Sequence, residues 1–62
     1  MTVVVKQIEL ENGYSVELVS TRNHYEVVKF DNFGHVDKSM IYGPDELKKA
    51  TATYNRYARK TN

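Results

Sequence analysis

The sequence has no cysteine and no tryptophan, and it contains one proline and three glycines in 62 residues. Without cysteine the chain can form neither a disulfide nor a thiolate zinc site. A chain of this length makes one domain, residues 1–62, and buries only about 60% of the surface that its unfolded form exposes. Small folds usually reinforce such a marginal core with disulfides, a metal or a second subunit, and oligomerisation is the means left to consider here.

Long apolar runs are also missing, since none approaches the ~20 residues that a membrane-spanning helix requires. The N-terminal segment carries Lys6 and Glu9 and lacks both the basic leader and the unbroken apolar core of a signal peptide. These absences, together with that of cysteine, predict a soluble, cytoplasmic protein with no membrane partner. The size of the chain suits a small accessory protein of a bacterium or of its viruses.

Turn signals divide the first two thirds of the chain into runs of strand length. Asn12-Gly13 predicts a two-residue hairpin turn, and Thr21–Asn23 and Asp31–Gly34 predict a second and a third turn. The runs between them are rich in Val, Ile, Tyr and Phe, as strands are, and they predict strands at about residues 2–11, 14–20, 24–30 and 35–42. Because the connections are short, we expect an antiparallel meander in sequential order.

The last third of the chain has the pattern of an amphipathic helix over about residues 44–60. Gly43 is a candidate cap, Pro44 suits the first helical position, and acidic residues follow at the positive end of the helix dipole. With a rotation of 100° per residue, one face of this helix contains Leu47, Ala50, Thr51, Tyr54, Tyr57 and Ala58. The opposite face contains Lys48, Lys49, Arg56, Arg59 and Lys60. The sequence therefore predicts an α+β fold, a four-stranded antiparallel meander (β-β-β-β) followed by one C-terminal amphipathic helix packed on one sheet face.

Alternation along the strands predicts which side chains face that helix. The expected inner face comprises Ile8, Leu10, Tyr14, Val16, Leu18, Val36, Met40 and Tyr42. In the third strand Tyr25 and Val27 oppose Val28 and Phe30, so one pair faces outward unless a bulge resets the register. Since one helix covers only one face of a sheet, the remaining apolar residues predict a second, partly apolar outer face.

No constellation for catalysis or for cofactor binding is evident in the sequence. His24 and His35 are separated and have no thiol partner, which makes a poor metal site. The serines lack a nucleophile motif, and each glycine is explained by a turn or a cap. We therefore expect a protein that is not an enzyme, with no catalytic residue, no cofactor, no metal and no small-molecule substrate.

The favoured function is that of a small binding or accessory protein that acts through a protein partner or through homodimerisation. The candidate interface on the outer sheet face comprises Val3, Val5, Val19, Val28, Phe33 and Ile41. Phe33, in the third turn, either folds back over the sheet, which is the favoured interpretation, or forms an exposed anchor. Edge strands around residues 3–5 or 38–42 could also extend the sheet across a two-fold axis.

The alternative function is binding of single- or double-stranded DNA, because the charge is unevenly distributed. Residues 1–42 carry a net charge of −2 and residues 43–62 carry +3. The candidate phosphate contacts are Lys29, Lys38, Lys48, Lys49, Arg56, Arg59 and Lys60. The outer sheet face could add a stacking platform of Tyr14, Tyr25, Phe30 and Phe33, with Lys6, Arg22, Lys29 and Lys38 as phosphate partners. The alternative is that most of these aromatics belong to the core, Tyr14 and Tyr25 because of their parity. In the order of its elements, the chain resembles strand-rich single-strand DNA-binding domains and the small DNA-reading domains of integrase N-terminal type, a resemblance that implies nucleic-acid binding.

Overall fold

The computed structural model describes residues 2–59. Its elements are β1 (Val3–Glu9), β2 (Ser15–Ser20), β3 (Tyr25–Phe30), β4 (Val36–Tyr42) and α1 (Leu47–Ala58). The strands form one antiparallel sheet in the order β1-β2-β3-β4, and α1 packs on one face of it, over β2, β3 and β4. This is the α+β meander with a C-terminal helix that the sequence predicts. No helix within residues 2–59 is long and apolar enough to cross a membrane.

The first turn is a three-residue loop, so the prediction of a two-residue Asn-Gly turn is wrong. The N–H of Gly13 donates to the carbonyl of Leu10 at 3.1 Å, which makes Glu11 and Asn12 the central residues of the turn. Gly13 has a φ of 88°, whereas no residue other than glycine has a positive φ in residues 2–59. A two-residue type I′ turn would need a positive φ at Asn12, so the glycine closes the turn from the next position instead.

The third turn repeats this geometry and is held by an aspartate side chain. Gly34, with a φ of 85°, donates to the carbonyl of Asp31 at 3.0 Å, as a turn closed by glycine requires. The Asp31 carboxylate accepts the backbone N–H groups of Phe33 and His35, each at 2.9 Å. The hydrogen bond from His35, reinforced by the one from Phe33, lowers the pKa of Asp31 below its usual range.

The helix begins three residues later than the sequence predicts. Pro44 and Asp45 form a turn in which the N–H of Glu46 donates to the carbonyl of Gly43 at 3.1 Å. The side chain of Glu46 accepts the N–H of Gly43 at 2.8 Å in return, and its other oxygen accepts Lys49 Nζ at 3.0 Å. The hydrogen bond from Gly43 and the pairing with Lys49 lower the pKa of Glu46. The predicted end of the helix, Lys60, lies outside the described residues.

The core lies between α1 and the middle two strands. Its buried members are Val16, Leu18, Val27, Ala50 and Tyr54. Tyr25 packs beside Val27, so Val28 and Phe30 are the pair that faces outward. The helix is turned slightly from its predicted orientation, since Leu47 is 44% exposed and Thr53 is buried. The Thr53 hydroxyl is hydrogen-bonded to the Tyr42 hydroxyl, which attaches α1 to β4.

Two β-bulges change which face some strand residues occupy. In β4, Lys38 pairs with Lys29 but Val36 pairs with Phe30, so Asp37 is an extra residue. The bulge moves Val36 to the outer face, and its predicted inner position is wrong. In β1, Val4 pairs with Val19 and Lys6 with Leu18, so Val5 is the extra residue there.

Candidate functional site

The face of the sheet under the helix carries every lysine of the strands. Lys6 is paired with the buried Leu18, and Lys29 and Lys38 are paired with each other in the row that contains Val16. Each lysine lies over a tyrosine ring: the Nζ atoms of Lys6, Lys29 and Lys38 are 5.8, 5.4 and 5.3 Å from the ring centroids of Tyr54, Tyr14 and Tyr57. Such contacts fix the lysines on the helix side of the molecule.

The opposite, outer face carries the glutamates of the strands. The register places Glu9 beside Ser15 at one end of this face, Glu17 beside Val28 in the middle and Glu26 beside Val19 at the other end. Asp37, the extra residue of the β4 bulge, is the remaining charged residue of the strands, and the register assigns it to neither face. The sheet therefore separates its lysines, which lie toward the helix, from its glutamates, which lie away from it.

The β3–β4 half of the outer face is apolar and uncovered. We define the β3–β4 patch as Val28, Phe30, Val36 and Ile41 together with Phe33 in the turn between the two strands. Val36 and Ile41 are 60% and 63% exposed, and Phe33 is 78% exposed. The interpretation that Phe33 folds back over the sheet is therefore wrong. No element within residues 2–59 packs on this face, because α1 lies on the other one.

The predicted interface is only partly assembled on one surface. Val19, Val28 and Ile41 lie on the outer face, although Val19 is already buried there. Val3 pairs with Ser20 on the helix side, so its predicted outer position is wrong, and Val5 is the extra residue of the β1 bulge. Both differences from the prediction follow from the bulge in Val3-Val4-Val5. Three consecutive valines show no alternation of apolar and polar residues from which their faces could be predicted.

The sequence analysis of the interface missed Phe30 and Val36. Phe30 shares the parity of Val28, and this alternation could have indicated it once Val27 was assigned to the core. Val36 could not have been found in this way, because its outward position depends on the extra residue at Asp37.

Both edge strands carry features that oppose pairing with another strand. β1 has a bulge at Val5 followed by Lys6, and β4 has a bulge at Asp37 followed by Lys38. Natural sheets protect their edges in this manner, with bulges and with lysines on the edge strand. The exposed edges are therefore poorer surfaces for association than the outer face.

Those predicted DNA contacts that fall within residues 2–59 lie on the helix side of the molecule but differ in their partners. Lys49 forms an ion pair with Glu46 at 3.0 Å, and this pairing raises the pKa of Lys49. Arg56 Nη2 donates to the Thr53 hydroxyl at 3.4 Å, beside the contact of α1 with β4. Lys48 and Arg59 are exposed. Lys60 lies outside the described part of the chain.

The predicted stacking platform on the outer face is wrong. Tyr25 packs against the core on the helix side, and Tyr14 lies with Lys29, which the register also places on the helix side. Phe30 is the one strand aromatic that faces outward, and the strand lysines that were expected to accompany it face the other way. The outer face of the four described strands thus has no lysine with which to hold a phosphate.

The two histidines lie at opposite ends of β3, each just before the strand that was expected to begin with it. His24 Nδ1 is 3.0 Å from the Thr21 hydroxyl in the second turn, and the backbone of His35 closes the third turn. Across residues 2–59 no group of three or more histidine, cysteine or carboxylate side chains could hold a metal ion.

No family model matches the chain, and neither the curated proteins nor the solved structures compared with it include a significant match. The functional argument therefore depends on the two faces of the sheet: an apolar half-face with carboxylates beside it, and a basic side formed with the helix.

Proposed function

We propose that the protein is a non-enzymatic binding protein that forms a homodimer through the β3–β4 patch. The observation that carries the proposal is the uncovered outer half-face, on which Val36 and Ile41 are more than half exposed beside Val28 and Phe30. Exposed apolar patches on small proteins usually mark interaction surfaces.

A second copy of the chain is the partner that the composition of the core favours. Within residues 2–59, nine large hydrophobic side chains are exposed whereas six hydrophobic residues are buried. A domain this small has a marginal core, and a partner that binds the folded form adds stability by mass action. The folded chain exposes these hydrophobic side chains at all times, so a partner that covers them must be present at all times. Another copy of the same chain meets this condition.

The layout of the outer face allows two copies to meet through their β3–β4 halves. Apolar residues outnumber the polar Glu26 and Ser39 in that half, whereas the β1–β2 half carries Gln7, Glu9, Ser15 and Glu17 beside Val4 and Val19. If two sheets stack through these halves, the carboxylate of Glu9, on β1, stays outside the contact in water. Glu26, which is paired with Ile41, and Glu17, which is paired with Val28, lie at the margin of the contact.

Stacking of faces is favoured over pairing of edges. Each edge strand combines a bulge with a lysine, which hinders the addition of another strand. In its β3–β4 half, the outer face carries no strand lysine, because Lys29 and Lys38 lie on the helix side.

Sedimentation velocity of the full chain over a range of concentrations tests this proposal. Ile41→Asp is the test variant and Ile8→Asp is its matched control, since both replace an exposed isoleucine on an edge strand but Ile8 lies on the helix side. We expect the parent chain and Ile8→Asp to dimerise and Ile41→Asp to remain a folded monomer.

Two outcomes would overturn the proposal. One is a parent chain that stays folded and monomeric at every concentration, which would leave a different protein as the only occupant of the patch. The other is a dimer that Ile8→Asp weakens as much as Ile41→Asp does, which would place the interface on the β1 edge.

A further inference from the structure

We propose that the surface formed by β4 and the C-terminal half of α1 binds the phosphate backbone of a nucleic acid. The site, here called the β4–α1 basic site, consists of Lys38 over the Tyr57 ring, its cross-strand partner Lys29 over the Tyr14 ring, and Arg56 beside Thr53 of α1. It lies on the opposite side of the sheet from the β3–β4 patch, so this inference does not depend on dimerisation.

Lys29 and Lys38 form a like-charge pair that the fold alone does not favour. They are direct partners across β3 and β4, so their side chains leave the same face of the sheet next to one another. Like charges in this position destabilise a sheet. Neither lysine forms an ion pair with a carboxylate of residues 2–59, including the neighbouring Asp37. An anion bound between the two ammonium groups would remove the repulsion.

The contact of Arg56 with Thr53 places Arg56 on the side of α1 next to β4. Its Nη2 atom donates to the Thr53 hydroxyl, which is also hydrogen-bonded to Tyr42 of β4. Arg56 therefore lies on the flank of the helix that faces β4. Lys38 reaches the same flank from the strand, since its Nζ atom lies 5.3 Å from the ring centroid of Tyr57.

The other cations of the helix contribute less to this site. Lys49 is already neutralised by Glu46 at 3.0 Å. Lys48 lies about 80° from Arg56 around the helix axis, turned away from the flank that touches β4. The site is thus a short line of three cations that lack carboxylate partners among the described residues, and it runs from β3 over β4 to the helix.

The chemistry of the site matches phosphates better than bases. The Tyr57 ring is covered by Lys38 and the Tyr14 ring by Lys29, so these aromatic faces already have cations over them. Ammonium and guanidinium groups bind phosphate oxygens without regard to sequence, and such contacts make affinity strongly dependent on salt. We therefore expect binding with little sequence preference.

Fluorescence anisotropy with labelled oligonucleotides of mixed sequence tests the proposal on the full chain. One arm uses a short single strand and the other a duplex of the same length, each titrated from low salt to physiological ionic strength. We expect binding that weakens with salt, and the better-bound arm identifies the form of nucleic acid. Lys38→Gln and Arg56→Gln should each lower the affinity several-fold and reduce the slope of log K against log salt by about one.

Lys6→Gln is the matched control for Lys38→Gln. Both lysines lie on edge strands, on the helix side, over a tyrosine ring, but Lys6 is on β1 at the far edge of the sheet. Lys6→Gln should leave most of the affinity intact.

Three results would overturn the inference. The first is no binding of either oligonucleotide at low salt. The second is an equal loss in Lys6→Gln and Lys38→Gln, which would show only a diffuse attraction to positive charge. The third is binding to vesicles of anionic phospholipid with no binding to oligonucleotides, which would assign the phosphate-binding surface to a membrane.

Discussion

At the scale of single residues, the two turn glycines have the same backbone conformation but different surroundings. Both have a positive φ, 88° at Gly13 and 85° at Gly34. A Cβ added at Gly13 would lie 3.0 Å from the Cβ of Asn32, whereas a Cβ at Gly34 would meet nothing within 4 Å. Gly13 thus lets the first and third turns approach each other, and this close approach is a second reason for glycine at that position.

We therefore predict that Gly13→Ala destabilises the fold more than Gly34→Ala does. The shared conformational penalty for an alanine in the left-handed region is about 1–2 kcal/mol. Gly13→Ala should add a further cost, because Asn32 must move, and chemical denaturation of both variants measures the difference. Equal losses of unfolding free energy would show that the contact with Asn32 contributes nothing.

A second prediction at this scale concerns the repulsion between Lys29 and Lys38. Lys29→Glu and Lys38→Glu each replace the like-charge pair by an opposite-charge pair, and the double variant restores a like-charge pair with reversed sign. The double variant should therefore be less stable than the sum of the two single effects predicts. We expect a coupling energy of about 0.5–1 kcal/mol at low salt.

The double-mutant cycle is needed because each substitution also removes a contact with a tyrosine ring. That loss occurs in the single and double variants alike and cancels in the coupling energy. A coupling of zero, measured by denaturation at low salt, would mean that the two ammonium groups do not repel each other in the folded protein.

At the scale of elements, the third turn links stability to pH through one carboxylate. The pKa of Asp31 is lowered by hydrogen bonds from the backbone N–H groups of His35 and Phe33. A lowered pKa in the folded state means that the stabilisation is present above the unfolded pKa, near 4, and is lost as the pH falls through the folded pKa.

We therefore predict that Asp31→Asn loses less stability than the parent chain between neutral pH and about pH 3. The amide of asparagine accepts hydrogen bonds but does not titrate, while Glu46, whose pKa is also lowered, acts equally in both proteins. Thermal midpoints measured across this range provide the comparison, with Glu9→Gln on the exposed β1 strand as control. A fall of the thermal midpoint by the same amount in Asp31→Asn and in the parent chain would contradict the prediction.

The existence and order of all five elements could be predicted from the sequence, because strands and helix differ in period and their connections carry Gly, Asn, Asp or Pro. The bulges could not. Val3-Val4-Val5 has no alternation that would reveal an extra residue, and the face of Val36 depends on the unpaired Asp37. Since a shift of one residue moves side chains to the other face, these two bulges account for the misplacement of Val3 and Val36.

The helix boundary was missed for a different reason. Gly43 and Pro44 do form a start signal, but they form a turn closed by Glu46 before the helix begins at Leu47. The side chain of Glu46 holds the amide of Gly43, and this contact competes with helical geometry at those residues.

At the scale of the whole molecule, charge is divided by face and not by segment. The sequence shows an acidic first part and a basic last part, yet the strand lysines join the helix cations on one side. Glu9, Glu17 and Glu26 occupy the other side, around the apolar β3–β4 patch. Only the pairing register reveals this separation, because a strand presents alternate residues to opposite faces.

This arrangement predicts that Glu26→Gln strengthens self-association. Glu26 is paired with Ile41 on the outer face, at the margin of the proposed contact. Stacking of two copies through the β3–β4 patch would bring negative charges from both copies to this margin. Removing both charges should tighten the dimer several-fold at low salt, as measured by sedimentation, and the gain should shrink as salt rises. Glu9→Gln, on the β1 half of the face, should have little effect, and an equal gain in both variants would contradict the proposed placement of the interface.

The most direct test of self-association through the β3–β4 patch is an isotope-filtered NMR experiment on a mixture of labelled and unlabelled chains. The filter retains only contacts between two different copies. The account predicts cross-copy contacts at the methyl groups of Val28, Val36 and Ile41 and at the ring of Phe30. A concentrated sample that shows no cross-copy contacts, or shows them only at β1, would contradict it.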